Sequence, residues 1–168
     1  LLAGTPRTGI FRWSQGAWES PDLVGRDIFA LATSPWGELF AGNYNITDGV
    51  SDGHAYASSD DGQNWTLIDL GAQPAMVSGF AFEVATQGVL CSVAWNSGSV
   101  RRRSADQQSW SAIGPSDNIP AYCIGRSAVG DLYIGSEGAG VRRLPAGQST
   151  WINLGFSTSQ QFALAFNS

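Results

Sequence analysis

Phe29-Ala30-Leu31-Ala32, Phe80-Ala81-Phe82-Glu83, Tyr122-Cys123-Ile124-Gly125 and Phe162-Ala163-Leu164-Ala165 are four versions of one short apolar phrase. The first three pass a turn glycine (Gly37, Gly88, Gly130) and continue as Leu39-Phe40-Ala41-Gly42, Leu90-Cys91-Ser92-Val93 and Leu132-Tyr133-Ile134-Gly135. The fourth stands at the C-terminus, and its continuation, Leu1-Leu2-Ala3-Gly4, stands at the N-terminus. A phrase divided in this way suits a repeat that closes into a ring.

Each copy leads, after a loop, to a third short apolar run: Gly9-Ile10-Phe11-Arg12-Trp13, His54-Ala55-Tyr56-Ala57-Ser58, Ser99-Val100-Arg101-Arg102-Arg103 and Gly140-Val141-Arg142-Arg143-Leu144. A polar turn follows, and then a tryptophan opens a fourth run: Trp18, Trp65, Trp110, Trp151. These tryptophans stand 47, 45 and 41 residues apart, the period of a four-stranded propeller blade. The runs are short, bounded by Gly, Asp, Asn or Ser, and lack a sustained helical period. The expected fold is all-β: a β-propeller of about four four-stranded antiparallel blades in one domain, residues 1–168. The blades fall at 162–168 plus 1–25, 26–72, 73–115 and 116–158. About three turn residues are missing at the junction, so the C-terminal strand is expected to pair with the N-terminal strand and close the ring, removing both exposed edges. Small strand-1 residues (Ala30, Ala81, Cys123, Ala163) let the inner strands crowd the axis, and large ones (Phe29, Phe80, Tyr122, Phe162) fill between blades.

The chain of 168 residues carries 21 glycines, and only 14% of its residues are charged, against about 25% in an average domain. All nine basic residues are arginine. That surface favours an extracellular or periplasmic setting. The net charge of −5 argues against nucleic acid and anionic membranes, which need a basic field. No apolar run is long enough for a membrane-spanning helix. Cys91 and Cys123 read as two buried thiols, with a disulfide as the alternative; their spacing matches no metal site. Cys91 is expected in the slot of Leu2, Phe40 and Tyr133.

Ser58-Ser59-Asp60-Asp61-Gly62-Gln63-Asn64-Trp65 resembles the Asp-box, or BNR repeat, S-x-D-x-G-x-x-W, at all four motif positions (Ser58, Asp60, Gly62, Trp65). The resemblance implies a structural turn between strands 3 and 4, in which the Asp accepts hydrogen bonds, the Gly takes positive φ and the Trp packs below. In the other blades the box is degenerate; Trp110, for example, has Arg103, Ala105 and Gln107 at the motif offsets. Repeats of this kind occur in sialidase-like, sortilin-like and photosystem II assembly factor-like propellers, and Asp131-Leu132-Tyr133-Ile134-Gly135 also looks like the repeats of bacterial sensor propellers. The sialidase resemblance implies an arginine triad and a Tyr–Glu nucleophile. Arg12, Arg102 and Arg143, however, hold one equivalent strand-3 position and read as scaffold.

Residues that break the repeat are the functional candidates. The longest loop, Asn43 to Gly53, offers Tyr44, Asn45, Asp48 and Asp52, followed by His54. Arg7, Trp95, Asn96 and Glu137 are expected on the same face, that of the strand 2–3 and strand 4–1 loops. Asp48 and Asp52 have spacing that could hold calcium, with a solvated loop as the plainer reading. Asn45 and Asn64 begin glycosylation sequons. No catalytic motif is present, so no catalytic residue and no cofactor is expected. The sequence reads as a non-enzymatic binding module that recognises protein or carbohydrate on that loop face. Two alternatives stay open: part of an Asp-box glycoside hydrolase, or a repeat-derived or engineered propeller without a selected function. The particle is either a monomeric ring or a strand-exchanged homodimer.

Overall fold

The computed structural model describes residues 1–19, 22–47, 50–71, 76–94, 100–104, 106, 109–117 and 119–166. Asp48, Trp95 and Asn96 lie outside the described residues. Among the described residues the chain is all-β, with one short 3-10 turn, Val84–Thr86. A first sheet holds β1 (Leu2–Thr5), β2 (Gly9–Ser14) and β3 (Ala17–Trp18). Next come β4 (Asp27–Thr33), β5 (Leu39–Tyr44), the small hairpin β6 (Ile46–Thr47) and β7 (Val50–Ser51), β8 (Ala55–Ser58) and β9 (Thr66–Ile68). The third unit is β10 (Met76–Glu83), β11 (Gly88–Ala94), β12 (Val100–Arg103) and β13 (Trp110–Ala112). The fourth is β14 (Ala121–Arg126), β15 (Leu132–Ser136), β16 (Gly140–Leu144) and β17 (Ile152–Asn153).

Pairing within each unit is antiparallel and sequential, as a blade requires. A single bridge, Met76 opposite Tyr44, links the second and third sheets at one corner. The rest of their contact is face to face, because a lone four-stranded sheet leaves both apolar faces wet. Three cores result, one per junction. Ile10, Ala41 and Tyr56, with Leu2, Ile28 and Trp65, fill the first. Ala55, Val77, Cys91 and Val93, with Phe80 and Trp110, fill the second. Ala81, Leu90, Val100, Ala121 and Ile134, with Leu144 and Trp151, fill the third.

Strand-2 glycines set the spacing. A Cβ on Gly42 would lie 2.5 Å from the Val77 carbonyl oxygen, and one on Gly4 would lie 2.6 Å from Ile28 Cγ2. The inner strand of each following blade therefore runs directly over this position.

The observed register corrects the sequence alignment of the third blade. Ala30 faces Gly42, Gly79 faces Ser92, and Cys123 faces Gly135. Gly79, not Ala81, thus takes the small slot, and Phe80 stands where Leu31 and Ile124 stand. Cys91 takes the slot of Ala41 and Ile134, not that of Phe40. Both cysteines are free and buried.

The ends also differ from expectation. Among the described residues, 161–166 form no ladder with β1, which pairs with β2 alone. The segment lies instead against the fourth sheet. Phe162 stacks on Tyr122 with centroids 5.1 Å apart, Phe166 meets Tyr133 at 5.2 Å, and Cys123 Sγ donates to the Gln161 carbonyl. It thus stands over β15 as β10 stands over β5, in the place of a further inner strand. These ring contacts satisfy one apolar face without a partner strand.

Candidate functional site

Each of the three complete blades carries a bulge at the same point of its inner strand. The register slips between Ile28 and Ala30, between Val77 and Gly79, and between Ala121 and Cys123. The extra residue is Phe29, Ser78 and Tyr122 respectively. A bulge re-aims the side chain it carries, and all three of these line one cleft on the axial side of the inner strands. Tyr44, Met76, Gln160 and Phe162 complete its wall, enclosing about 420 Å³.

The cleft is largely apolar and aromatic. Phe29 and Tyr44 meet edge to face at 5.9 Å. Phe29 is 60% exposed and Phe162 65% exposed. They therefore do not fill between blades, contrary to the sequence reading; the bulge turns Phe29 out of the stack into the cleft. The polar rim is short. Tyr122 donates to Glu137 Oε2 at 2.9 Å, and Gln160 Nε2 donates to Glu137 Oε1 at 2.8 Å. Burial, reinforced by the bond and charge of Glu137, pushes the Tyr122 phenol up to about 12. The hydroxyl remains a neutral donor at physiological pH. Ser78 Oγ donates to the Ala121 carbonyl at 2.7 Å and shares a bond with Ser92 Oγ.

The remaining loop-face candidates form a second cluster. Arg26 Nη1 lies 3.1 Å from Asp52 Oδ2, and His54 Nδ1 lies 3.3 Å from Asp52 Oδ1. Burial holds the His54 imidazole below its ordinary value; the Asp52 carboxylate opposes this and Arg26 adds to it. Asn45 donates to the Gly25 carbonyl and accepts from the Asp27 amide, while the Arg7 amide donates to Asp27 Oδ1. The buried Asn43 donates to Asn45 Oδ1 and accepts from the His54 amide. Arg7, Asn45, Asp52 and His54 are thus gathered where the first blade passes into the second, and these bonds knit the loop. Asp52 already carries an ion pair with Arg26 and a contact with the His54 imidazole. Among the described residues no group of three His, Cys, Asp or Glu side chains could hold a metal ion. Of the sequence candidates, Tyr44 and Glu137 border the axial cleft.

The Ser58–Trp65 turn sits away from the cleft. Ser58 Oγ donates to Asp60 Oδ1 at 2.8 Å and accepts from the Gly62 amide; the Gln63 and Asn64 amides also donate to Asp60 Oδ1. The Asn64 side chain adds a bond to Oδ2 at 2.7 Å, and these bonds lower the Asp60 carboxyl to about 2, with Asn64 the largest cause. Gly62 has φ +80°. The third blade repeats the device one residue later than the motif offsets predict: Ser104 Oγ donates to Asp106 and accepts from the Ser109 amide. The strand-3 arginines each hold an acid: Arg12–Glu19, Arg102–Glu83 and Arg143–Asp131.

The cleft residues Phe29, Met76, Tyr122, Gln160 and Phe162 were not among the sequence candidates. Phe29, Tyr122 and Phe162 were signalled only as the large residue at the head of the repeated phrase, which reads equally well as core; Met76 and Gln160 carry no such signal.

No family model and no curated protein matches the sequence. Solved structures do. A gluconolactonase from Xanthomonas campestris superposes with a TM-score of 0.61 at 16% identity, over 85% of this chain and 54% of that one. Nidogen, from a nidogen/laminin complex, gives 0.62 at 13% identity over 87% and 54%. Regucalcin, a calcium-binding protein from Agrobacterium tumefaciens, gives 0.65 at 14% identity over 84% and 52%. The chain thus spans about half the length of these structures. At such identities the likeness shows the fold, which is propeller-like. It also corrects the expectation that the chain is not an enzyme. A gluconolactonase is built on this architecture, so the absence of a familiar motif does not exclude catalysis.

Proposed function

We propose that the chain is a β-propeller module that binds a protein or glycan on the face of the strand 2–3 and 4–1 loops, with an apolar group of the ligand entering the axial cleft. The observation that carries this reading is the triple bulge. Three successive blades each break their ladder at one position, and each places the freed residue in the same cleft. A regular ladder would bury these side chains, so the exposed rings of Phe29 and Phe162 are left as anchors. Exposed aromatic rings beside a few oriented polar groups form a common binding surface. The Glu137 carboxylate, held by Tyr122 and Gln160, gives the rim a fixed acceptor. The test is a peptide and glycan array, followed by titration of each hit. Phe29→Ala and Phe162→Ala remove exposed rings and leave the three cores intact. Each is expected to weaken a hit at least tenfold; unchanged affinity in both sinks the proposal.

A second reading rests on the Tyr122–Glu137 hydrogen bond. A tyrosine paired with a glutamate at the axis resembles the nucleophile pair of an Asp-box glycoside hydrolase. The raised phenol opposes its own ionisation, and among the described residues no arginine lines the cleft. Release of a fluorogenic leaving group from an aryl sialoside, lost in Tyr122→Phe, would establish this reading; no release by the purified chain would end it.

A further inference from the structure

We propose that the cleft between the third and fourth blades, on the face of the strand 1–2 and 3–4 turns, binds a small ligand that carries a carboxylate on an apolar body. The site is separate from the axial cleft: Tyr122 and Arg126 stand at opposite ends of β14, and each belongs to one of the two. The cleft encloses about 380 Å³, a size usual for small-molecule sites. Leu90, Ile113, Leu132 and Leu144 form its floor, and Glu83, Arg102 and Arg126 stand in its walls.

The sequence places an arginine where the repeat does not ask for one. Arg126 pairs with Leu132 as Thr33 pairs with Leu39 in the second blade. Arg12, Arg26, Arg102, Arg103, Arg142 and Arg143 each hold an acid. Among the described residues Arg126 holds none. Its Nε donates to the Gly130 carbonyl at 3.2 Å, and its Nη1 donates to the Phe82 carbonyl at 3.5 Å. Two backbone oxygens thus orient the guanidinium, and Nη2 has no partner among the described residues. A half-buried guanidinium stays charged and gives up part of its hydration. A ligand carboxylate supplies the missing counter-charge, and its two oxygens match the planar fork.

The other charges of the cleft are balanced and held. Arg102 Nη2 lies 2.6 Å from Glu83 Oε2, which also accepts from Thr86 Oγ1 at 3.1 Å. Two arginines against one glutamate leave the lining one net positive charge, on a chain of net charge −5. The Pro145–Gln148 wall is fixed from outside the cleft: Asp131 Oδ1 accepts from the Ala146 amide at 2.8 Å, and Arg143 Nε donates to its Oδ2 at 2.7 Å. One charge selects a monoanion, and the aliphatic floor selects an apolar body. A phosphate brings more charge than the lining balances and gains nothing from that floor.

The test is titration of the purified chain with phenylacetate, octanoate, their two amides and inorganic phosphate, followed by amide NMR. At least one of the two acids is expected to bind saturably and to shift the Gly130 and Ala146 signals. The matching amide is expected to bind roughly 10- to 100-fold more weakly, the loss of one charge-assisted pair. Arg126→Met keeps the apolar stem and is expected to erase that preference with an unchanged circular dichroism spectrum. Should this variant fail to fold, Arg126→Lys is read in its place; it keeps the charge, loses the fork and is expected to retain only part of the preference. The Met76 methyl in the axial cleft is expected to stay still throughout. Binding of neither acid, equal affinity for acid and amide, or phosphate bound as tightly as the acids would overturn the proposal. So would a full preference kept by the folded variant, or shifts at Met76 without shifts at Gly130.

Discussion

Gly42→Ala tests the blade spacing. The new methyl would sit 2.5 Å from the Val77 carbonyl oxygen, 2.8 Å from Val77 Cγ1 and 3.0 Å from Val77 Cβ. Ordinary contact begins near 3.4 Å, so β10 must retreat from β5 by most of an ångström. The obstacle is backbone, which cannot rotate aside. Val77 belongs to the buried core between the second and third blades, so the retreat also loosens Ala55, Cys91 and Val93. Overpacking of this kind costs about 1–3 kcal/mol. At roughly 2–4 °C per kcal/mol for a chain of this length, Tm should fall by about 2–12 °C. The assay is thermal unfolding followed by circular dichroism. Gly135→Ala is the comparison. Its methyl would meet Cys123 Sγ at 2.6 Å, Gln161 Cβ at 2.6 Å and the Gln161 carbonyl oxygen at 2.8 Å, but the Cys123 side chain can rotate, and 161–166 has no ladder to hold it in place and can lift. A smaller drop is expected there, with faster proteolysis at the C-terminus. Gly42→Ala melting with the wild type, or Gly135→Ala costing more, would refute the stacking described.

Other predictions follow from single groups. Asp60 is held near 2, so its contribution is complete above the ordinary carboxyl value and is lost as pH falls through about 2. Asp60→Ala should lower Tm at pH 7 and flatten the acid limb of the Tm–pH curve, as read by calorimetry. Tyr122 is raised to about 12, so the unfolded chain releases its proton first. Its contribution is complete below pH 10 and is lost as pH rises toward 12. Tyr122→Phe should remove the late phenolate step in absorbance at 295 nm. Burial holds the Cys91 thiol at about 12, far from thiolate. Native protein should therefore leave Cys91 unlabelled by iodoacetamide in peptide mass mapping, and denatured protein should label it fully.

The architecture was legible because it is a repeat. A period near 45 residues with a tryptophan at each fourth strand admits few alternatives, and the phrase Phe29–Ala32 recurs almost unchanged. What the sequence hid is a matter of one residue. Bulges at Phe29, Ser78 and Tyr122 leave no mark in composition, because the inserted residue is apolar twice and polar once. The third blade's hairpin is also one residue longer, Gly79 to Ser92 against Ala30 to Gly42 and Cys123 to Gly135, which moves Cys91 from Phe40's slot to that of Ala41. The bulges turn ring side chains from apparent core into the cleft. The loop candidates were sought where the repeat breaks, which brought out Tyr44 and Glu137 at the cleft. It also drew in Asn45, Asp52 and His54, whose bonds hold the loop together. The Ser104–Asp106 turn escaped notice because it sits one residue out of the motif's frame.

Met76 is the only methionine in the chain, and it lines the axial cleft. Protein carrying a 13C-labelled methionine methyl therefore gives one NMR signal, placed among Phe29, Tyr44 and Phe162. Titration with a ligand from the array should shift that signal in proportion to site occupancy, and Phe29→Ala should weaken the response. A ligand that binds with full affinity and leaves the Met76 methyl unmoved would contradict the axial cleft as the binding site.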